Sequence, residues 1–450
     1  MRRIRFPHPL TLLVGCIVTA AALSYALPAG EYNRVADPAT GRQVVVAGTF
    51  HRVPQSPVGF FRALVDVPRG MADAASVIFL VFLAGGAFTV VDRTGVLRAG
   101  VDSLARTLER RESLVIPVVG IAFATAGALE NTQEEIIALV PALLLLTRRV
   151  GFDPLVAIAM SIGSASVGAA FSPINPFQVG IAQKLAQLPL LSGAAFRIAF
   201  LAIAVAVWIG GTLRYARRTR VTPSAGPPIR EAAVALSGRR QAAVLLTVVA
   251  GFGAFVWGVM RLGWDFDQMS AVFFLMGIVA GLIGGLGFEG TAGGFVEGFA
   301  SMAFAAMLIG FARAVYVVLA DGHIIDTIVN GLFAPIAHLP VALSAVGMLA
   351  VQTVIHVPVP SVSGQAVLTL PILVPLSDLL GLSRQVTVLS YQYGAGLCEL
   401  LTPTNGALMA IIAATGVRYE GWLRFAVPLW ATLAALGVVS IGLAISIGLR

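Results

Sequence analysis

Charge is scarce in this chain: 12% of its 450 residues are Asp, Glu, Lys or Arg, while 58% are hydrophobic. An ordinary soluble domain carries about twice that charge, so lipid is the solvent for most of this one. Cysteine is nearly absent. Cys16 and Cys398 both lie inside apolar runs and neither belongs to a CxxC pair, which argues against a disulfide framework or a zinc site. No HExxH, GxSxG or Walker-A pattern occurs. The one phosphate-like match, Gly285-Leu-Gly-Phe-Glu-Gly290, follows an apolar span, whereas a dinucleotide fingerprint needs strand, turn and helix. These absences count against an enzyme and against a nucleotide-driven pump.

Long apolar runs are abundant. Stretches of 16 to 22 apolar residues recur along the chain, and roughly 20 such residues cross about 30 Å of hydrocarbon. The net charge of +8 sits in short arginine clusters between the runs: Arg2-Arg3-Arg5, Arg106-Arg110-Arg111, Arg148-Arg149 and Arg214-Arg217-Arg218-Arg220. Such clusters mark cytoplasmic ends, so no nucleic-acid partner is expected. The expected setting is a bacterial inner membrane, with many spans and a cytoplasmic N-terminus. Residues 1–30 imitate a secretory signal but read better as a retained first span.

Residues 31–75, with Pro38, Pro54 and Pro57, read as an extracytoplasmic insertion. Residues 76–220 form a first repeat. It opens with a span, followed by an interfacial stretch over 95–111. Segment 113–147 then holds 35 residues flanked by arginines on both sides, too few for two full spans of about 20 each, so it predicts a re-entrant hairpin. Segment 154–191 is interrupted by Ser172-Pro-Ile-Asn-Pro176; its two prolines block helical continuation and predict a broken helix. A linker over 221–240 separates this unit from a second repeat over 241–450, with a hairpin near 340–377 and a helix over about 386–416 broken at Thr402-Pro-Thr-Asn-Gly406. A gapless shift of 230 residues places Pro141 on Pro371, Gly151 on Gly381, Pro173 on Pro403 and Asn175 on Asn405. Asp378 stands where the first copy has Arg148, so the copies face opposite sides. The fold expected is an all-α polytopic membrane protein, an inverted-repeat transporter with two opposed re-entrant hairpins and two broken transmembrane helices.

Irregular backbone at membrane depth persists only where it lines a cavity or is buried in protein. The candidate binding residues therefore cluster at four breaks: Glu130, Asn131, Thr132, Glu134 and Glu135 at the first hairpin; Ser172 and Asn175 at the first broken helix; Ser361, Ser363, Gly364 and Gln365 at the second hairpin; Thr402, Thr404 and Asn405 at the second broken helix. A carboxylate at helix centre costs about 2.5–3.5 kcal/mol, which makes the glutamates candidates for a coupling-cation site or proton relay. The alternative is a shallower tip whose glutamates cap a helix. Arg313 and Glu399 read equally as substrate-facing charges or as structural ion pairs. His323, His338 and His356 stand at span ends and read as interfacial.

Several motifs resemble the YfcC-like family, related to the anaerobic C4-dicarboxylate carriers and the arginine/ornithine antiporters of the ion-transporter superfamily: Pro28-Ala-Gly-Glu-Tyr32, Asn175-Pro-Phe-Gln-Val-Gly-Ile-Ala-Gln183, Ser361-Val-Ser-Gly-Gln-Ala366, Asp378-Leu-Leu-Gly-Leu-Ser-Arg-Gln385 and Thr402-Pro-Thr-Asn-Gly406. The resemblance implies an eleven-span-like carrier, often a homodimer, working by an elevator-like motion, with Glu134-Glu135 matching a pair of binding glutamates. Asn131 departs from a glycine expected at the tip, and Ala395 stands where an acidic residue is common. The function expected is ion-coupled secondary transport or antiport of a small polar organic solute, an amino acid by preference and a C4-dicarboxylate or other carboxylate as the alternative. No cofactor is expected beyond the coupling ion, H+ or a Na+ near Glu134, Asn175 and Asn405. An intramembrane enzyme using Glu134 or Glu399 as base, and a channel, are the competing classes.

Overall fold

The computed structural model describes residues 8–36, 43–96, 112–129, 133–222, 238–262, 264 and 266–449. These residues are almost wholly helical, and seven of their helices are long and apolar enough to cross a membrane. The interfacial stretch expected over 95–111 and the linker over 221–240 fall largely outside the described residues.

Helix α1 (Pro9–Ala26) leads into four short strands. β1 (Gly30–Glu31) pairs antiparallel with β4 (His51–Arg52), and β2 (Arg34–Ala36) with β3 (Gln43–Val45). The insertion is also less uniformly polar than its sequence suggests. Residues 60–73 form an amphipathic helix, α2 (Phe60–Asp73), which turns Phe60, Phe61, Leu64 and Val65 outward, as a helix lying in the membrane interface does. Its arginines pin it. Arg62 and Arg69 both donate to Asp321, at the end of the 35-residue helix α11 (Gly287–Asp321).

Tyr32 anchors the strands. Its backbone N–H donates to Asp326 Oδ2 (2.9 Å) and its hydroxyl to Asn330 Oδ1 (3.0 Å), both on α12 (Ile325–Phe333). Burial first, and then the nearby Asp326 carboxylate, push the Tyr32 phenol up to about 12, above the usual value of about 10. A raised pKa means that this contribution is complete below about pH 10 and is lost as pH rises through about 12. Limited proteolysis of the insertion should therefore accelerate across that window, and Tyr32→Phe should remove the step.

A scaffold forms from α1, α2, α3 (Ala75–Arg93), α9 (Gly238–Leu262), α10 (Phe266–Ile283) and α11; α3 packs along both α10 and α11. The remaining helices form two interlocked copies of one plan. In the first, α4 (Val115–Leu129) and α5 (Glu134–Val150) make the hairpin. The broken helix follows as α6 (Pro154–Ala170), a non-helical stretch over 171–175, a π turn (Pro176–Gly180) and α7 (Ile181–Leu185), and α8 (Ala194–Arg218) completes the copy. In the second copy the hairpin is α13 (Val341–His356) and α14 (Val362–Leu379). The broken helix is α15 (Arg384–Cys398) and α16 (Gly406–Thr415), and α17 (Tyr419–Ser446) ends the chain's described part.

The packing repeats as the sequence does. α4 lies on α6 as α13 lies on α15, while each second hairpin arm crosses to the other copy, α5 onto α16 and α14 onto α7. Gly151 and Gly381 take left-handed φ of 77° and 70° at equivalent places after α5 and α14, where a Cβ would be strained. Asp153 and Ser383, again 230 apart, cap α6 and α15 through their side chains, a contribution worth about 1 kcal/mol each.

Inside α6 a π turn over Ala159–Gly163 leaves the Ala159 carbonyl to accept from the indole of Trp208 on α8 (2.8 Å). π turns of this kind interrupt the helical ladder. That carbonyl also accepts from the backbone N–H and hydroxyl of Ser164, so Trp208→Phe, which keeps most of the apolar volume, removes one of its hydrogen bonds without stranding it, and the thermal midpoint should fall by an amount corresponding to about 0.5–1.5 kcal/mol.

Candidate functional site

Both breaks are closed by side chains of the breaking residues. At the first, Ser172 Oγ donates to the Ala128 carbonyl (2.5 Å) and Asn175 Nδ2 to the Gly127 carbonyl (2.8 Å), at the end of α4. At the second, Thr402 and Thr404 share a hydrogen bond, and Thr404 Oγ1 donates to the Val357 carbonyl (2.6 Å). Val357 is the residue 230 after Gly127. Asn175 Oδ1 accepts from the backbone of Phe177 and Gln178, and Asn405 Oδ1 caps α16 through Leu408. Both amides thus act as caps and cross-links.

Asn405 continues into a buried network. Its Nδ2 donates to Glu399 Oε2, at the C-terminus of α15, and to Gln133 Oε1 (2.9 Å), from the first hairpin. Glu399 Oε1 lies 2.9 Å from His356 Nε2, and His356 Nδ1 lies 2.8 Å from Gln365 Oε1. Gln365 Nε2 donates to the Gln352 carbonyl (2.7 Å), and Gln352 Nε2 donates to Thr369 Oγ1 (2.8 Å). His356, Gln352, Gln365 and Thr369 are fully buried.

The direction of these bonds fixes the protons. Because the Gln365 amide nitrogen is committed to Gln352, its oxygen faces His356 and Nδ1 must carry a hydrogen. His356 Nε2 is then the ring nitrogen that faces Glu399 Oε1, and the contact keeps two buried ionisable groups together, where either alone would be costly.

The histidine corrects the sequence reading. His356 is the last residue of α13 but lies in the protein interior, because the second hairpin turns back inside the protein instead of at the membrane surface. Gln352 and Gln133 were not read as site residues either. The signal existed: Gln352 and His356 lie four apart in an otherwise apolar run, on one helical face.

Glu130, Asn131 and Thr132 lie outside the described residues. Glu134 and Glu135 form the first turn of α5, and their side chains lie outside the description as well. Arg313 is brought to the tip of the second hairpin but not to either broken helix. It pairs with Asp73, stands 4.7 Å over the ring of Tyr316 and is 37% exposed, because α11 carries it toward α2 and away from Glu399. Among the described residues no buried glutamate is its partner. It lines an outer cavity of about 450 Å³ together with Glu31, Arg34, His323, Ser361 and Gly364. There Ser361 caps α14 by accepting from the Gly364 N–H (3.2 Å), with Ser363 half-buried beside it. Glu31 lies 2.5 Å from His323, and Arg34 pairs with Asp326 (2.8 Å). The cavity is thus polar, with its charges matched.

Residues 6–447 match the family model described as C4-dicarboxylate anaerobic carrier. The chain is 31% identical to a protein of Escherichia coli (strain K12) described as "Putative basic amino acid antiporter YfcC", over 98% of this chain and 97% of that one. It is 26% identical, over the same shares, to an uncharacterized protein of Haemophilus influenzae. Among solved structures it is similar to the YdaH transporter of Alcanivorax borkumensis, at 17% identity and a TM-score of 0.45, covering 98% of this chain and 99% of that one.

Proposed function

This chain belongs to the C4-dicarboxylate anaerobic carrier family, and we propose that it is a proton-coupled secondary carrier of an amino acid in a bacterial inner membrane, with a cytoplasmic N-terminus. The observation that carries the reading is the contact between His356 and Glu399, two buried ionisable side chains placed where the second hairpin, the second break and, through Asn405 and Gln133, the first hairpin meet. A proton exchanged at this contact would couple its release to a rearrangement of those three elements, as a relay of buried ionisable residues does in pumps and transporters. An amino acid carries both an ammonium and a carboxylate, which suits a binding region with glutamates at one hairpin and a capped helix N-terminus at the other. The similarity to a protein described as a basic amino acid antiporter supports the same class. The second reading, a C4-dicarboxylate, is favoured by the family description and by the buried cation Arg197, which among the described residues has only neutral partners.

The test is reconstitution in liposomes with labelled basic and neutral amino acids, C4-dicarboxylates and monocarboxylates, imposing proton and sodium gradients separately. Saturable amino-acid uptake driven by the proton gradient, with counterflow, is the expected result. Uptake driven by sodium alone would overturn the coupling, and uptake restricted to dicarboxylates would overturn the substrate.

A further inference from the structure

Gln178 follows the first break, and its amide is 1% exposed with neither Nε2 nor Oε1 finding a hydrogen-bond partner. The other buried glutamines of the breaks, at 133, 352, 365 and 392, all bond through their side chains. Leaving a buried amide open at both ends is unfavourable, and such a group in a folded chain calls for a ligand, ion or water to complete it.

The surroundings hold the amide in place. Asn175 Oδ1 accepts the Gln178 backbone N–H (3.1 Å), fixing the turn that aims the side chain. Gly396 on α15 provides the clearance, since a Cβ there would stand 3.3 Å from Gln178 Nε2 and 2.8 Å from Ala170. The two neighbours that flank Gln178 on the break, Ile174 and Phe177, are 41% and 39% exposed, so this break is approachable, whereas Thr404 and Ala407 at the equivalent places of the second break are buried.

Charge tells which group comes here. Arg197 is fully buried, and among the described residues its guanidinium donates only to neutral oxygens, of Gln392 (3.1 Å), Gln385 (3.0 Å) and Ser192 (2.8 Å). Gln392 in turn donates to the Ser172 carbonyl in the first break (2.7 Å). A cation one amide away from the break favours an anionic group beside it.

We infer that Gln178 is a substrate-binding residue that grips the head of an α-amino acid, its Nε2 donating to the carboxylate and its Oε1 accepting from the ammonium. Both groups sit on one carbon of the substrate, as donor and acceptor sit side by side on the amide. A dicarboxylate satisfies only Nε2 and leaves Oε1 buried and unpaired, and a site built this way discriminates against the ligand that cannot complete it. The inference rests on the carrier reading and deepens it.

The experiment uses the full chain in detergent and in liposomes, with Gln178→Met, which keeps the length and removes both polar atoms. The probes are L-arginine, L-alanine, propionate and succinate. In the wild type, the two amino acids should raise the thermal midpoint more than propionate or succinate. In Gln178→Met the midpoint without ligand should be unchanged or higher, since an open amide has been removed, while the amino-acid-induced rise disappears. KM for the transported amino acid should increase about 10- to 100-fold, as the loss of one or two hydrogen bonds implies. A lower unliganded midpoint with an unaltered KM would mark Gln178 as structural and overturn the proposal, as would equal responses to succinate and alanine in the wild type. Absence of flux for every solute in the wild type would instead defeat the carrier reading, and the thermal shifts, which need no flux, would still judge Gln178.

Discussion

Glu399→Gln should abolish accumulation driven by a proton gradient while leaving counterflow of the same solute in place. The replacement amide has the size of the carboxylate and sits where Glu399 meets Asn405 and His356, so the three parts that converge there remain joined. What is lost is the carboxylate that faces His356 Nε2. His356 keeps the Nδ1 hydrogen that Gln365 requires, and the pair then holds no titratable partner for Nε2. Substrate exchange needs no net proton movement, so counterflow is the internal control for folding and binding. His356→Ala is the harsher variant: it leaves the buried Glu399 carboxyl without its partner, and breaking a buried pair on one side costs about 3–5 kcal/mol. Loss of folded protein is expected for it, together with loss of uptake. Proton-driven accumulation that survives Glu399→Gln would show that the coupling proton travels elsewhere.

How much of this was legible beforehand follows from which interactions are local. The breaks at Ser172–Pro176 and Thr402–Gly406 could be read because proline acts on its own backbone, and the two-copy plan because Asn175 and Asn405 keep their spacing. The first hairpin followed from counting residues between arginine clusters, and the second from its place in the repeat. The network at His356 could not be read this way. His356 meets Gln365 within its own hairpin but Glu399 only after 43 further residues, and Gln133 reaches Asn405 from 272 residues away. Contacts of that range depend on which hairpin arm crosses onto which broken helix, and spacing does not state it. Arg313 read equally as a substrate-facing charge or a structural ion pair, and the partner it finds, Asp73, lies far off in sequence. Its place in an apolar run suggested depth, yet α11 is long enough, 35 residues or about 52 Å at 1.5 Å per residue, to bring it to the outer cavity beside Asp73. Gln178 sits inside a motif that was noticed, and only the absence of its partners distinguished it from its neighbours.

Valine at Gly127 or Gly168 should prevent the first hairpin from seating, a larger loss of stability than any single hydrogen bond in the molecule can explain. The two glycines interlock α4 and α6: a Cβ on Gly127 would lie 2.0 Å from the Ala165 carbonyl oxygen, and one on Gly168 would lie 1.9 Å from the Ala124 carbonyl oxygen. Both obstacles are backbone, so no side chain can swing aside, and the helices would have to separate. Small residues that let helix backbones touch are the usual source of association in a membrane, where apolar burial gives no net drive. Separation would also pull the Gly127 carbonyl away from Asn175 and the Ala128 carbonyl away from Ser172, opening the break next to Gln178. Alanine should cost at least about 1–3 kcal/mol, the usual range for overpacking, and valine more. Gly210 on α8 provides the control. Nothing lies within 4 Å of its added Cβ, so Gly210→Ala should be neutral or stabilising by about 0.5–1 kcal/mol through helix propensity. Thermal midpoints of the three alanine variants, read side by side, separate the packing argument from a general dislike of substitution: equal midpoints would mean that α4 and α6 do not meet as closely as their glycines require.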